Sequence, residues 1–545
     1  MAKVLIILVR GNTSLADEQG PASIAAFLVN NGHEARLVAL NKDDSKMEII
    51  DRYKPDIIGL SVYHDELESA IYIADCIKKI DSEILVVVGG YSATYYYEDI
   101  FKRSNSIDFI MKGEGELAWK LLCDNFDNKV DVTHTPNLIY RDKTNQLHIN
   151  LNAKPIEKLD LLEFSNKEIL VDNEFQIAHL ATTRGCFENC SFCYSHKFFD
   201  PSGSVRWRGK DPEKIIAEIR KLVTEYNIHR VVFDDASFED SYQGLSRMER
   251  ILDLILEANL EFTFEVFFRA SIYRRLSDEL LQKLIDAGLS SVFIGIESFN
   301  EKELRIFNKH VEVIDNDKVI EYFRNRKINV QIGFINFTPY SEVWTLRKNA
   351  YYLHKHHFIN SCLISNKLRA YKGTDLYTKL VNDKLIPSNN SLDYYEYSYE
   401  KPDINYFCEY IIKKFNDINI EKGSNIQSID WYLYFTYPRY ISYYRSLFGK
   451  MKVGFEQDLD KWEDEYFKII KENSELYFKW YNALLDLFEY GWDENEASKI
   501  CCEIDISNTS MEVLNKLKVL LKHFHYQIIK SNRTLVKYLI NDSPK

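Results

Sequence analysis

The stretch Thr183-Arg-Gly-Cys-Phe-Glu-Asn-Cys-Ser-Phe-Cys-Tyr194 places three cysteines, Cys186, Cys190 and Cys193, at CxxxCxxC spacing on one short run. Thiolates are soft ligands that suit iron–sulfur clusters, and three of them so spaced can hold three irons of a cubane and leave the fourth open. Zinc normally takes four ligands in paired spacing, and the nearest further donor, His196, would crowd the same loop. Ordinary buried cysteines are the plain alternative. Just upstream, Ala178-His-Leu-Ala-Thr-Thr183 is a short β-prone run, so the cysteines follow a strand, where α/β folds place their chemistry.

Toward the N-terminus, over about residues 1 to 150, strand-like runs alternate with helical patterns. The strand-like runs are Val4–Val9, Ala35–Leu40, Ile57–Val62, Ile84–Val88 and Phe109–Met111, and the helical ones are Ala22–Asn31 and Glu68–Lys79. Strands this apolar are buried on both faces, which predicts a Rossmann-like, doubly wound parallel sheet in an α/β chain. Ligands of such sheets sit at the carboxyl ends of the strands, here Ser61, Gly89-Gly90-Tyr91-Ser92 and Gly113-Glu-Gly-Glu116. Missing side chains there let backbone approach a bulky ligand, although a tight turn also uses glycine. The first turn reads Arg10-Gly-Asn-Thr-Ser-Leu15 and lacks GxGxxG, which disfavours nicotinamide binding. His33 and His64 read as surface or satisfied core residues.

Toward the C-terminus the βα rhythm continues for about six strands over about residues 170 to 385, predicting a partial barrel. A helix over Pro212–Tyr226 is followed by strand Arg230–Phe233, which ends at Asp234-Asp235. Strand Glu261–Phe268 ends at Arg269, strand Ser291–Ile296 at Glu297-Ser298, and Val330–Ile335 leads into Asn336–Glu342. These polar strand ends face the mouth of the barrel. From about 390 to 545 the pattern is helical and aromatic, and its aromatic stripes read as core. We expect a helical cap that covers the cavity and shapes substrate choice. Cys408, Cys501 and Cys502 lack a CxxC pattern and read as buried thiols.

The 545 residues suffice for about three domains. A net charge of -13 argues against a general nucleic-acid partner, and no apolar run approaches the roughly 20 residues of a membrane helix. Scattered cysteines and an N-terminus without a basic start predict a reducing, cytoplasmic setting. The partner expected is a small molecule or a peptide.

The cysteine run, with Phe192 before its last cysteine and Tyr194 after it, is similar to that of the radical S-adenosylmethionine (SAM) superfamily. So are Gly295-Ile-Glu-Ser298 and Leu368-Arg-Ala-Tyr-Lys-Gly-Thr-Asp-Leu-Tyr377. Joined to Gly20-Pro-Ala-Ser-Ile-Ala-Ala-Phe-Leu28, Asn31-Gly-His33, Val88-Gly-Gly90 and Ile110–Glu116, the whole resembles cobalamin-binding radical SAM enzymes. The resemblance implies a cobalamin domain at 1–150, a partial (β/α)6 radical SAM barrel at 170–385 and a helical substrate or cap domain at 390–545. It makes Cys186, Cys190 and Cys193 the ligands of a 4Fe-4S cluster. It assigns SAM to Asp235, with Asp234 second, to Glu297 and to Arg269, for which a structural pair with Glu297 is the alternative. It assigns cobalamin to Ser61, Gly89, Gly90, Ser92, Gly113 and Glu114. No protein histidine is expected on the cobalt, because the DxHxxG position reads Asp17-Glu-Gln-Gly20. Two departures stand out: the family's glycine-rich turn is lost in Asn336–Glu342, and Lys372 replaces a proline. The implied activity is a 5′-deoxyadenosyl radical used for C-methylation at an unactivated carbon, served by an electron donor such as flavodoxin or ferredoxin. Ring contraction, cyclisation or oxidation is the nearest rival, and a non-catalytic iron–sulfur or cobalamin carrier is the alternative of another class.

Overall fold

The structure is a computed structural model describing residues 1–9, 19–40, 47–63, 66–162, 177–199, 206–239, 244–387, 394–417, 419–420, 424–451 and 454–531. The first turn Arg10–Leu15, with Asp17 and His64, lies outside the described residues. The N-terminal sheet contains β1 (Lys3–Val9), β2 (Glu34–Leu40), β3 (Ile57–Ser61), β4 (Leu85–Gly89), β5 (Phe109–Met111), β6 (Leu138–Arg141) and β7 (Leu147–Ile149), in the order β2-β1-β3-β4-β5-β6-β7. The first five strands are parallel. Alternate residues bury on opposite faces: Leu5, Ile7 and Ile58 against the helix Leu67–Ile80, and Val4, Ile6 and Val87 against the helix Gln19–Asn30. Strands β6 and β7 add an antiparallel hairpin at the edge, which the pattern of apolar runs did not predict. Its turn is set by Asp142, whose Oδ1 accepts from the backbone N–H of Thr144 (2.8 Å) and Gln146 (3.0 Å).

The second sheet is the partial barrel. The segments here are β8 (Ile177–Leu180), β9 (Thr183–Gly185), β10 (Trp207–Gly209), β11 (Arg230–Phe233), β12 (Thr263–Arg269), β13 (Leu289–Glu297) and β14 (Asn329–Phe334), of which β9 and β10 form a separate two-stranded sheet. Five of them lie parallel in the order β14-β13-β12-β11-β8. The sixth position is reduced to one parallel bridge, Phe337 to Lys367. The apolar run Ala178–Thr183 splits in two because the Asp235 carboxylate accepts from the N–H of both Thr182 and Thr183, each at 2.7 Å, and turns the chain out of β8. Thr183–Gly185 then pairs antiparallel with β10.

The C-terminal helices Pro402–Asp417, Ile426–Trp431, Tyr437–Lys450, Glu456–Tyr490, Glu494–Glu503 and Ile506–Ser531 pack around an aromatic core. Tyr437, Tyr440, Tyr444, Tyr477 and Tyr481 are fully buried, and Trp462 stacks on Phe524 with centroids 4.3 Å apart. The aromatic stripes are core. Two of these helices reach the segment just past β14, where Asn336 donates to the Tyr481 hydroxyl at 3.0 Å and Phe407 packs on Phe337 at a centroid distance of 6.3 Å. Residues 265, 267 and 269 of β12 share one face of the sheet, and on that face Glu265 is held by Arg439 at 2.9 Å. Gln331 of β14 donates to the Phe435 carbonyl at 3.3 Å, and the Arg230 guanidinium lies over the rings of Tyr440 and Tyr443. The helix Tyr437–Lys450 therefore closes the barrel at the end where its strands begin. None of the described helices is long and apolar enough to cross a membrane.

Candidate active site

The cysteine loop leaves β9 at Gly185, whose φ of +80° and closeness to Arg206 exclude a side chain: a Cβ there would stand 2.1 Å from the Arg206 carbonyl oxygen. The loop is then strapped to the segment after the helix Glu301–Ile306. Ser191 donates its N–H to Phe307 O (2.9 Å) and its hydroxyl to Ile306 O (2.6 Å), while Asn308 donates to Asn189 O (3.0 Å). Glu188, between the first two cysteines, is held by Arg269 at 2.5 Å and by His310 at 3.2 Å. Nothing in the spacing of Phe307–His310 marked it as the strap, because it meets the loop only through the fold. Burial pushes the Cys186 thiol up to about 11 and that of Cys190 up to about 12, and each lies in the field of Cys193. Among the described residues no three potential ligands stand already gathered at metal spacing. What fits a 4Fe-4S cluster is the donor set, three half-buried thiols on one fixed loop in each other's field.

Between the two sheets lies a cavity of about 620 Å³. The N-terminal domain lines it with strand ends, Ser61, Gly89, Gly90, Gly113 and Glu114, and the barrel lines it with Gly185, Tyr194, Asp234, Asp235 and Phe267. Two members of this wall, Gly185 and Tyr194, flank the three cysteines in sequence. Gly90, at φ +104°, is required by the fold itself, since a Cβ there would stand 2.6 Å from Val62 O. At Gly20 and Gly113 nothing among the described residues lies within 4 Å of where a Cβ would be, so the floor there is open to a bulky, flat group such as cobalamin, although the φ of +67° at Gly113 also favours glycine.

Charged side chains lock the domains together around the cavity. Arg184 binds Glu116 and donates to Ser23 Oγ (3.3 Å), and Arg208 binds Glu114 and donates to Ile156 O (2.7 Å). Burial works against the charge on Glu116, but Arg184 and Ser23 outweigh it and hold its carboxyl below the usual range. An aromatic contact closes another side, with Tyr91 against Tyr194 at a centroid distance of 4.2 Å. The Tyr91 hydroxyl donates to Lys372 O (2.6 Å), and the Lys372 N–H donates to the Tyr96 hydroxyl (3.4 Å). A proline at 372 would lack that donor, which gives the departure at this position a physical reason.

The structure sorts the expected site residues. Ser61, Gly89, Gly90, Gly113 and Glu114 reach the cavity, whereas Ser92 is fully buried and is not part of the lining. Glu114 is also committed to Arg208. Asp235 has both oxygens occupied by Thr182 and Thr183, including the Thr182 hydroxyl at 2.5 Å, so it builds the loop. Asp234 is about one-third exposed and stands 3.2 Å from His179 Nδ1, and both aspartates line the cavity. Arg269 pairs with Glu188 and Glu239 and not with Glu297. Glu297 stands instead 3.6 Å from Lys309. Neither Arg269 nor Glu297 lines the 620 Å³ cavity. His33 is a buried residue whose Nε2 hydrogen-bonds Asp124 at 3.1 Å, with Asp127 3.4 Å from its Nδ1. Arg184, Arg208 and Lys309 escaped the sequence reading; only Arg184, beside Gly185-Cys186, carried a signal, a charge next to the cysteine run.

Known proteins share these domains and this fold. A family model of the B12 binding domain matches residues 13–122, and one of the radical SAM superfamily matches residues 180–346. The chain is 25% identical to an uncharacterized methyltransferase of Pyrococcus horikoshii over 57% of this chain and 68% of that protein. It is also 25% identical to an anaerobic magnesium-protoporphyrin IX monomethyl ester cyclase of Rubrivivax gelatinosus, over 54% of this chain and 53% of the relative, so it spans about half of that protein's length. The fold matches that of the cobalamin-dependent S-adenosylmethionine radical enzyme OxsB, solved with aqua-cobalamin and S-adenosylmethionine bound, with a TM-score of 0.70, 16% identity, and coverage of 100% of this chain and 82% of that one. With the two domain families in tandem, the flanks of the cysteine triplet on one wall of the cavity and glycine-bearing strand ends on the other, this chain belongs to the cobalamin-binding radical SAM enzymes, whose cofactors are a 4Fe-4S cluster, SAM and cobalamin.

Proposed function

We propose that this enzyme is a C-methyltransferase acting at an unactivated carbon of a natural product, peptide or other small substrate. One observation carries the reading: a single cavity is walled by the flanks of the cysteine loop on one side and by the glycine floor of the cobalamin domain on the other. When bound there, the three cofactors supply reductive SAM cleavage to a 5′-deoxyadenosyl radical and a methyl group carried by cobalamin. The chain's own residues do the holding. Cys186, Cys190 and Cys193 are the cluster ligands, Asp234 faces the SAM side, and Ser61, Gly89, Gly90 and Gly113 bed the cobalamin. Arg184 and Arg208 keep the two walls together, and Phe267 with Tyr194 keeps water away from the reacting carbon. The electron comes from a flavodoxin or ferredoxin in a reducing cytoplasm, in keeping with nine free cysteines.

Anaerobic reduction of the reconstituted enzyme with SAM is expected to release 5′-deoxyadenosine, and Cys190→Ala to abolish it. Release that persists in Cys190→Ala would remove the cluster assignment. With SAM deuterated in its methyl group, mass spectrometry is expected to find the label in the substrate. The relative named as a cyclase supports a second reading, rearrangement or oxidation, for which the product would carry no label. A carrier protein would give neither product.

A further inference from the structure

We propose that Lys309 is a positioning residue that sets the reduction potential of the cluster held by the cysteine loop, with Glu297 as the opposing charge. The proposal rests on the cluster assignment and adds to it a function for a residue that touches none of the expected ligand-binding positions except Glu297. Lys309 follows directly on the strap that holds the loop, and its backbone N–H donates to Leu304 O at 2.9 Å. Its side chain is only 10% exposed. The ammonium donates to Gly295 O at 2.9 Å and stands 3.6 Å from Glu297 Oε1.

The backbone is shaped for this pair. A Cβ at Gly295 would lie 2.8 Å from Glu297 Oε1 and 3.2 Å from the Lys309 nitrogen, so only glycine leaves room for both charges beneath the loop. Glu297 itself adopts a φ of +64°, and the pairing of β13 with β14 shifts register between Gly295 and Glu297. A left-handed non-glycine residue at a bulge costs energy that its contacts must offset, and such strain gathers at functional positions. The positive charge lies between two elements. Toward the strand it faces Glu297, and along its own backbone it directly follows Asn308, whose side chain donates at 3.0 Å to the carbonyl of Asn189, the residue before Cys190. Glu188, the other acid whose field reaches it, is already held by Arg269 and His310.

An electron added to a buried cluster makes it more negative by one charge. A fixed cation nearby stabilises the reduced form over the oxidised form, and a fixed anion does the reverse. Lys309 and Glu297 therefore act on the cluster with opposite sign.

The test is an EPR-monitored redox titration of the anaerobically reconstituted full-length protein without SAM, with iron and sulfide counted in each variant. Lys309→Met is expected to lower the ratio of reduced to oxidised cluster at a fixed potential about tenfold, equivalent to about 59 mV for a one-electron couple. Lys309→Arg is expected to keep the wild-type midpoint, and Glu297→Gln to shift it the opposite way from Lys309→Met. Unchanged midpoints in Lys309→Met and Glu297→Gln, or shifts of the same sign, overturn the proposal. If Lys309→Met fails to hold iron, Glu297→Gln decides alone, and an unchanged midpoint there is fatal. A wild-type protein that forms no cluster is a distinguishable failure, that of the cluster assignment, and the proposal falls with it.

Discussion

Glu303 has almost no access to water, being 1% exposed. Its carboxyl accepts from the hydroxyls of Ser298 (2.5 Å) and Ser341 (3.3 Å) and from Asn349 Nδ2 (3.3 Å), behind the strand end that presents Glu297. Burial pushes it up to about 7 in spite of these donors. Because the folded value lies above the unfolded one, the stability it contributes is fully present below the ordinary glutamate value and is lost as pH rises through about 7. At about 1.4 kcal/mol per unit the loss amounts to about 3 kcal/mol. The urea midpoint of the wild-type protein is expected to fall across that window, and Glu303→Gln to flatten the fall. The neighbouring acids Asp234 and Asp235 make a second pair of predictions. Asp235→Asn sets an amide N–H₂ against backbone donors and is expected to cost about 2–3 kcal/mol and most of the iron loading. Asp234→Asn is expected to leave the unfolding curve in place and to weaken SAM binding measured calorimetrically. The cysteines were legible in the sequence because their chemistry belongs to the side chain alone. The hydrogen bonds that occupy Asp235 were not, since both aspartates end one strand and the donors that claim Asp235 lie more than fifty residues away.

At the level of elements, parallel strands were legible wherever both faces are buried, as in Val4–Val9 and Arg230–Phe233, since a continuous apolar run has few other uses in a chain of this composition. The β6–β7 hairpin was missed although Asp142-Lys-Thr-Asn145 is a turn sequence, because its strands are short and only half buried. The division of Ala178–Thr183 was illegible for another reason: it is caused by Asp235, on a different strand. The turn from β9 into the cysteine loop gives the sharpest test at this scale. Gly185→Ala places a methyl against the Arg206 carbonyl in a left-handed backbone. It is expected to lower the melting temperature, at a cost of about 1–3 kcal/mol, and to reduce iron bound per chain.

For the whole molecule, the order of domains was legible and their fit against one another was not. Arg184 and Glu116 are 68 residues apart, Arg208 and Glu114 are 94 apart, and no local pattern links either pair. Breaking one buried pair leaves a charge without its partner, so Arg184→Met alone is expected to cost about 3–5 kcal/mol and to weaken cobalamin binding, read by absorbance. The double variant Arg184→Met with Glu116→Leu is expected to recover much of the stability; a double variant no better than the single one would show that the interface depends on more than charge balance. The C-terminal helices were recognisable as helices, but their placement depends on Arg439 finding Glu265 and on Phe435 meeting Gln331, contacts across more than a hundred residues.

That placement makes the barrel a cup. Along one face of β12, Arg269 stands at the rim beside the cysteine loop, Phe267 forms part of the wall, and Glu265 is already in the floor built by the helix Tyr437–Lys450. A vessel stopped at its base fills and empties through its mouth, and here the mouth faces the cobalamin domain. Molecules that share it must queue: the one that lies deepest goes in first and comes out last.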